Sequence, residues 1–404
     1  MKSKRIFWVT LLAAFLACGM LASCGGDDHQ TPPALSGDSG DDDGGDGGDD
    51  GQDEDGYPAG LTVETFTDEL SGGAQCLGFY AVVDFKTNPK LLFRPKFSGA
   101  KTPTTYFADF AESGDGTPYV VVNGGYFGGS TSVSLLVEEG EMKSMAAQSD
   151  VCNGQTYYPV RAAFGQMADG SFETAWVYCL RAADNRFYPY AYPSPLGNDE
   201  RTETFMPEPP TASTEGAHLW EVEYAIGAGP MLVYDGENVA EENYWKEVFE
   251  HGGVSGMSRH PRTSIGATAD GKLIVLVCDG RGKRGSAGFT LPELADKMIS
   301  LGCIRAINLD GGGSSTFVGK DGAVLNMPSD TQRPTLAGAT IVQRRIPPAV
   351  VIAEAQQRSN DEDTVRNCRT GPFRLTERIP VFSVLRLVIL LFQNPLRFIP
   401  LLAL

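Results

Sequence analysis

The segment "GKLIVLVCDGR" (271–281), with "FTLPELADKMISLGC" (289–303) and "IRAINLD" (304–310) after it, decides the fold class that the sequence predicts. Its first part is an unbroken apolar run, which is typical of a strand buried on both faces. A helix follows, with Thr290 at the N-cap, Glu293 completing a capping box and Gly302 ending it. The last part is a second strand. A right-handed crossover predicts that the two strands are parallel and adjacent.

Further short runs of β-branched and aromatic residues, such as "GFYAVVDF" (78–85) and "YVVVNGGYF" (119–127), indicate more strands. Helical patterns are sparse. We therefore predict an α+β fold, a strand-rich mixed sheet that contains one βαβ unit and few helices. This domain is expected to span residues 61–346.

The N-terminal sequence predicts export. Residues 1–24 combine a basic start, an apolar stretch and "LASC" (21–24), as in a lipoprotein signal peptide whose Cys24 is lipidated after cleavage. Cleavage at an ordinary signal site is the alternative. Residues 25–58 are predicted to form an acidic, extended tether, because 27–56 contain eleven Asp and one Glu but no Lys or Arg. The expected location is the bacterial cell envelope, with membrane contact through the lipid only.

Composition and cysteine usage limit the remaining possibilities. The formal net charge of −18 argues against a nucleic-acid partner. No CxxC motif occurs and the four histidines are scattered, so no zinc site is predicted, although an oxygen-only calcium site is left open. Cys152 and Cys179 are the first candidates for a disulfide. The C-terminal residues 347–404 are treated as a tail of unknown role, because prolines and arginines interrupt its apolar runs.

The segment "NLDGGGSSTF" (308–317) directly follows the second strand. Asp279 and Asp310 each follow one strand of the crossover, so both are predicted to emerge at the same edge of the sheet. Two carboxylates at one edge are the minimum for acid–base chemistry on a glycosidic bond. The three glycines let a substrate approach the backbone closely. The alternative is a merely tight turn.

Four stretches together resemble the phosphodiester glycosidase family. They are "VVNGGYF" (121–127), "PRTSIGATADGKLIVLVCDGR" (261–281), "TLPELA" (290–295) and "INLDGGGSST" (307–316). The resemblance covers roughly residues 78–342. It implies hydrolysis of the glycosidic bond of a sugar-1-phosphate diester on a glycan or exopolysaccharide, releasing the sugar and leaving a phosphomonoester.

The resemblance and the motifs assign roles to individual residues. Asp310 is the predicted base or nucleophile, Asp279 its partner, and Glu293 a further catalytic candidate that the capping box explains equally well. Arg262 and Arg281 are expected to bind the phosphate, and the alternative is that each forms a structural ion pair. The predicted substrate-binding residues are Asn123, Gly124, Gly125, Arg262, Thr263, Arg281, Asn308, Gly311, Gly312, Gly313, Ser314 and Ser315. No cofactor is predicted. The rival function is a non-catalytic surface module that binds phosphorylated glycans.

Overall fold

The computed structural model describes residues 56–331 and 340–356. Its helices are α1 Pro103–Ser113, α2 Ala240–Lys246 and α3 Leu291–Ser300. Its strands are β1 Leu61–Leu70, β2 Ala74–Val83, β3 Leu91–Lys101, β4 Thr117–Asn123, β5 Phe127–Gly128, β6 Thr131–Ser132, β7 Leu136–Glu138, β8 Glu141–Ser144, β9 Asp150–Cys152, β10 Gln155–Tyr157, β11 Arg161–Gln166, β12 Phe172–Arg181, β13 Phe187–Tyr192, β14 His218–Leu219, β15 Tyr224–Gly227, β16 Met231–Tyr234, β17 Glu237–Asn238, β18 Arg262–Thr268, β19 Leu273–Cys278, β20 Cys303–Asn308, β21 Phe317–Val318 and β22 Ile346–Glu354. Strand-rich architecture with few helices is confirmed.

Three sheets enclose the main core. The first has the order β1-β2-β19-β18-β20-β16-β17, the second β14-β13-β12-β11-β15-β7-β8, and the third β21-β4-β22-β3. Side chains from all three meet in one apolar cluster that includes Phe93, Phe164 and Ile307. Helices α2 and α3 cover the other face of the first sheet, and α1 packs against the third.

The predicted crossover unit is only partly correct. Strands β19 and β20 run in the same direction, as expected, but β18 lies between them and pairs antiparallel with both. All strand pairings in the described ranges are antiparallel, so the prediction of a mixed sheet with adjacent parallel strands was wrong. The reason is that "RTSIGAT" (262–268) has too few large apolar residues to read as a central strand. Strand β19 is buried throughout, as predicted.

Two predicted domain boundaries are wrong. Tyr57 is buried and packs against Tyr119 in a tilted arrangement, with ring centres 6.3 Å apart, so the folded chain begins before residue 61. Strand β22 lies between β3 and β4, and all but its last residue is buried. The supposed tail therefore starts with a central strand. The signal peptide, Cys24, the tether up to residue 55 and residues 357–404 lie outside the described ranges.

The predicted disulfide is also wrong. Cys152 and Cys179 are free thiols in different apolar clusters, and Cys179 contacts Met142 instead. None of the described helices is long and apolar enough to cross a membrane.

Candidate active site

The glycine turn after β20 places Asp310 at the edge of the first sheet. The Asp310 N–H donates to Gly124 O (3.0 Å), and the Leu309 N–H donates to Thr263 O (2.8 Å). The Asp310 side chain is partly exposed and accepts a hydrogen bond from the Gly311 N–H (2.8 Å). Residues Gly312–Ser314 then form a short 3-10 turn. The Asp310 carboxylate thus lies beside a turn that has no bulky side chains.

Two guanidinium groups flank this turn. A Cβ added at Gly312 would lie 3.1 Å from Arg281 Nη2, and Gly312 also has a positive φ of 63°. A Cβ at Gly313 would overlap Arg344 Nη2, which also pairs with Asp330. The glycines therefore make room for the two arginine side chains. Arg281 is exposed, and its contacts with His260 and Ser329 are long, at 3.5 and 3.3 Å.

Burial shifts the titration of the central carboxyl group. Desolvation raises the pKa of Asp310 to about 6, although the Ser314 side chain, the Gly311 N–H and the charge of Arg344 act in the opposite direction. A carboxyl group in this range is ionised at neutral pH and takes up a proton in mildly acidic solution. It is suited to act as a nucleophile or a base.

A polar cluster lies behind Asp310. The Asn308 amide donates to Tyr126 Oη (2.8 Å) and to Gly229 O (3.0 Å), while the Tyr126 hydroxyl also donates to Gly229 O (2.8 Å). Burial raises the pKa of Tyr126, and the nearby Asp310 carboxylate raises it further. The side-chain oxygen Oδ1 of Asn308 is buried without a hydrogen-bond partner from the described chain. The hydrogen bond from Asn308 therefore fixes the position of the Tyr126 hydroxyl.

The side chain of Glu247 lies next to this polar cluster, beside Gly229. Its carboxyl group is fully buried and accepts from Ala162 N (2.8 Å), Met231 N (2.8 Å) and Trp176 Nε1 (3.0 Å), which belong to the first and second sheets. Burial raises its pKa to about 7. Glu247 joins the two sheets beneath Gly229. Sequence reasoning missed it because its surroundings "YWKEVFE" (244–250) read as an ordinary helix end.

Asp279 does not join Asp310 in a pair. Among the described residues no hydrogen bond or ion pair joins the two carboxylates to each other, and each has its own partners. The Asp279 carboxylate is 1% exposed and accepts from Met327 N (2.8 Å) and Asn326 Nδ2 (3.1 Å). Asp279 therefore anchors Asn326 and Met327, which follow the glycine turn in the chain. The predicted catalytic pair is not supported.

Several predicted binding residues serve the protein's own backbone. Arg262 is buried, and its guanidinium donates to the carbonyls of Val254, Ser255, Ser258 and Phe289 at 2.9–3.2 Å, which leaves it committed to the loop before β18. The predicted phosphate contact by Arg262 is therefore replaced by a structural role. Glu293 forms the capping box of α3 and an ion pair with Arg259 (2.6 Å).

Asn123 and Thr263 position the turn rather than a substrate. The Asn123 amide donates to Asp310 O (2.6 Å) and its oxygen accepts from the Thr263 hydroxyl (2.8 Å). Ser315 contacts the same hydroxyl (3.3 Å). A Cβ at Gly124 or Gly125 would meet Pro348 or Gly227, so these glycines allow close strand packing. Of the predicted set, Asp310, Arg281, Ser314 and the turn Gly311–Gly313 come together at this edge of the sheet, where Arg281 is exposed and Gly313 and Ser314 are buried.

No cluster of three or more His, Cys, Asp or Glu suited to a metal ion occurs in residues 56–331 and 340–356. Asp279 and Asp310, which the sequence left open as calcium ligands, have different hydrogen-bond partners. Arg344 is the main site residue that sequence reasoning missed. The segment "QRRIPP" (343–348) carries no catalytic pattern, and only the tertiary fold brings it to the glycine turn.

Residues 116–353, more than half of the chain, match the phosphodiester glycosidase family. The chain belongs to this family. It is 41% identical over 69 residues to the human N-acetylglucosamine-1-phosphodiester alpha-N-acetylglucosaminidase, covering 17% of this chain and 13% of that one. The uncharacterized prophage protein YomE of Bacillus subtilis is 37% identical over 83 residues, covering 20% and 13%.

The matched segments thus span about an eighth of these relatives. Among solved structures, a hypothetical protein from Synechocystis has a similar fold, with a TM-score of 0.51 and 16% identity over 73% of this chain and 62% of that one. The family match includes β22, which agrees with the central place of this strand in the third sheet.

Proposed function

We propose that this phosphodiester glycosidase hydrolyses the bond between a sugar carbon and the phosphate of a sugar-1-phosphate diester. An N-acetylglucosamine-1-phosphodiester-like linkage on a glycan or exopolysaccharide is the proposed substrate. The observation that carries the proposal is the partly exposed Asp310 carboxylate at a glycine turn held between Arg281 and Arg344.

Because the leaving group is a phosphate, the reaction does not need the second carboxylate that usually acts as a general acid. Asp310 either removes a proton from the water that attacks the sugar carbon, or attacks that carbon itself with loss of the phosphate, forming a glycosyl ester that water then hydrolyses. The departing phosphate monoester is already a stable anion, so it needs cationic groups rather than a general acid. Guanidinium groups match phosphate oxygens with two parallel hydrogen bonds. Arg281 is the proposed phosphate ligand, while Arg344 supplies positive charge from its pair with Asp330 (2.9 Å).

The position of bond cleavage tests the proposal. Incubation with a sugar-1-phosphate diester in heavy-oxygen water should put the label into the released sugar and none into the phosphate, because attack occurs at carbon. Mass analysis of both products measures this. Label in the phosphate would indicate hydrolysis at phosphorus and contradict the proposal. Diester binding without any product would favour the rival function, a non-catalytic glycan-binding module.

The pH profile tests the role of Asp310. The value of kcat/KM should fall as pH decreases through about 6, because protonation of Asp310 removes the nucleophile or base. Arg344→Gln removes a positive charge that lowers this pKa, so the midpoint should move to higher pH. Arg345→Gln is the matched control, since Arg345 is exposed and binds Ala100 O. An unchanged midpoint in Arg344→Gln would contradict this role.

We also propose that the chain is exported and lipid-anchored through Cys24. The proposal rests on "LASC" (21–24) and on the acidic segment after it. Membrane fractionation of a Cys24→Ala variant tests it, and fractionation equal to that of the parent would refute the anchor.

A further inference from the structure

A cavity of about 490 Å³ opens between the first and second sheets, away from Asp310. Its walls come from β12, β13, β16, β18 and β20, and include Phe172, Thr174, Trp176, Tyr234, Ala267 and Arg305. We propose that this cleft, defined by those six residues, binds one or two neutral pyranose rings of the glycan that carries the diester. The identity of this ligand rests on the proposed function.

The cleft is separate from the glycine turn. Asp310 lies level with the start of β18, where the Leu309 N–H binds Thr263 O. Ala267 and Thr268 line the cleft from the other end of the same strand. Five residues separate Arg262 from Ala267, which at about 3.3 Å per residue is roughly 17 Å. A polymeric substrate could reach both places, whereas a small diester could not.

The small side chains of Thr174 and Ala267 leave the space that forms the cleft. Thr174 has the same inward orientation as Phe172 and Trp176 on β12, and Ala267 faces it from β18. The Thr174 hydroxyl and Arg305 Nη1 are buried without a hydrogen-bond partner from the described chain. An unsatisfied buried polar group costs about 1–3 kcal/mol. Two larger side chains at 174 and 267 would have closed the gap, as in the rest of the core.

The chemistry of the walls favours a sugar over an anion. Trp176 and Tyr234 have ring centres 5.1 Å apart and contribute apolar aromatic surface to the lining. The Arg305 guanidinium stacks on Tyr234 (3.9 Å) and pairs with Asp235 (2.6 Å). His218 adds a hydrogen-bonding group to the lining. The volume lies within the range of small-molecule sites.

Calorimetric titration with cellobiose and with N,N′-diacetylchitobiose tests the cleft. The parent protein should bind at least one disaccharide saturably. Thr174→Leu and Ala267→Leu fill the cleft from opposite sheets, so each should weaken binding at least tenfold while keeping a cooperative melt. Thr65→Leu is the matched control, because Thr65 is exposed on β1 outside the cleft, and it should bind like the parent.

Turnover of a small sugar-1-phosphate methyl diester separates this inference from the proposed function. Thr174→Leu should turn over the small diester like the parent, and Asp310→Asn should bind the disaccharide like the parent. Absent binding in the parent, or unchanged binding in both filled variants, would overturn the cleft. Disaccharide binding lost on filling, together with no diester turnover in the parent, would support the cleft and refute the proposed function.

Discussion

Asp310→Asn is expected to lower kcat for a sugar-1-phosphate diester by roughly a thousandfold or more, because the amide can neither attack carbon nor take a proton. The substitution keeps the shape of the side chain and its contact with the Gly311 N–H. Steady-state kinetics with the purified protein measure the loss. Residual activity within tenfold of the parent would contradict the assignment.

The same variant should not be destabilised. Burial raises the pKa of Asp310 above that of an unfolded aspartate, so the folded state favours the protonated form. The stabilisation of the folded state by that proton is fully present at low pH and is lost as pH rises through about 6. At pH 7 the ionised carboxylate is unfavourable, and Asn removes it. The melting temperature should stay equal or rise.

Asp279→Asn is the informative comparison. The Asp279 carboxylate accepts hydrogen bonds from Met327 N and Asn326 Nδ2, and an Asn oxygen can accept the same two hydrogen bonds. We expect kcat within about tenfold of the parent. A loss as large as that of Asp310→Asn, with an unchanged melting temperature, would restore the two-carboxylate mechanism.

A chain that ends at residue 345 is expected to lose the cooperative melt altogether. Strand β22 pairs with both β3 and β4, and its side chains Val350 and Ile352 belong to the main core. Its removal leaves two unpaired strand edges and a large gap in that core. The resulting loss of folding free energy exceeds the few kcal/mol by which domains of this size are stable. Differential scanning calorimetry measures the outcome.

A chain that ends at residue 356 is the matched control, since it retains β22. We expect it to melt cooperatively. If the shorter chain melted at the temperature of this control, β22 would be dispensable for folding. The side chain of Tyr106 also donates to Pro347 O, so α1 should lose a contact in the shorter chain.

Local sequence signals predicted local structure well. The Thr290–Glu293 capping box, the fully buried strand β19 and the glycine turn beside Asp310 all occur where the patterns place them. Each depends on residues close together in the chain. The family resemblance rested on these same segments.

Long-range pairing was not predictable from these patterns. The segment "RTSIGAT" (262–268) forms a central strand because it pairs with β19 on one side and β20 on the other. The segment "IPPAVVIAE" (346–354) also forms a central strand, despite two prolines near its start. The roles of Arg262 and Arg344 depend on which carbonyl and carboxylate groups the fold brings near them. Both residues carry the same charge and donor geometry, yet one is enclosed by backbone and the other borders the glycine turn.

The position of β22 also has a consequence for synthesis. Glu354 pairs with Leu91 on one side and with Thr117 on the other, so the third sheet joins early and late parts of the chain. This sheet cannot be completed until residue 354 has left the ribosome. Contacts of such long sequence separation are slow to form because the intervening chain must first be ordered. The growing polypeptide therefore remains without its native core until synthesis of the domain is nearly finished.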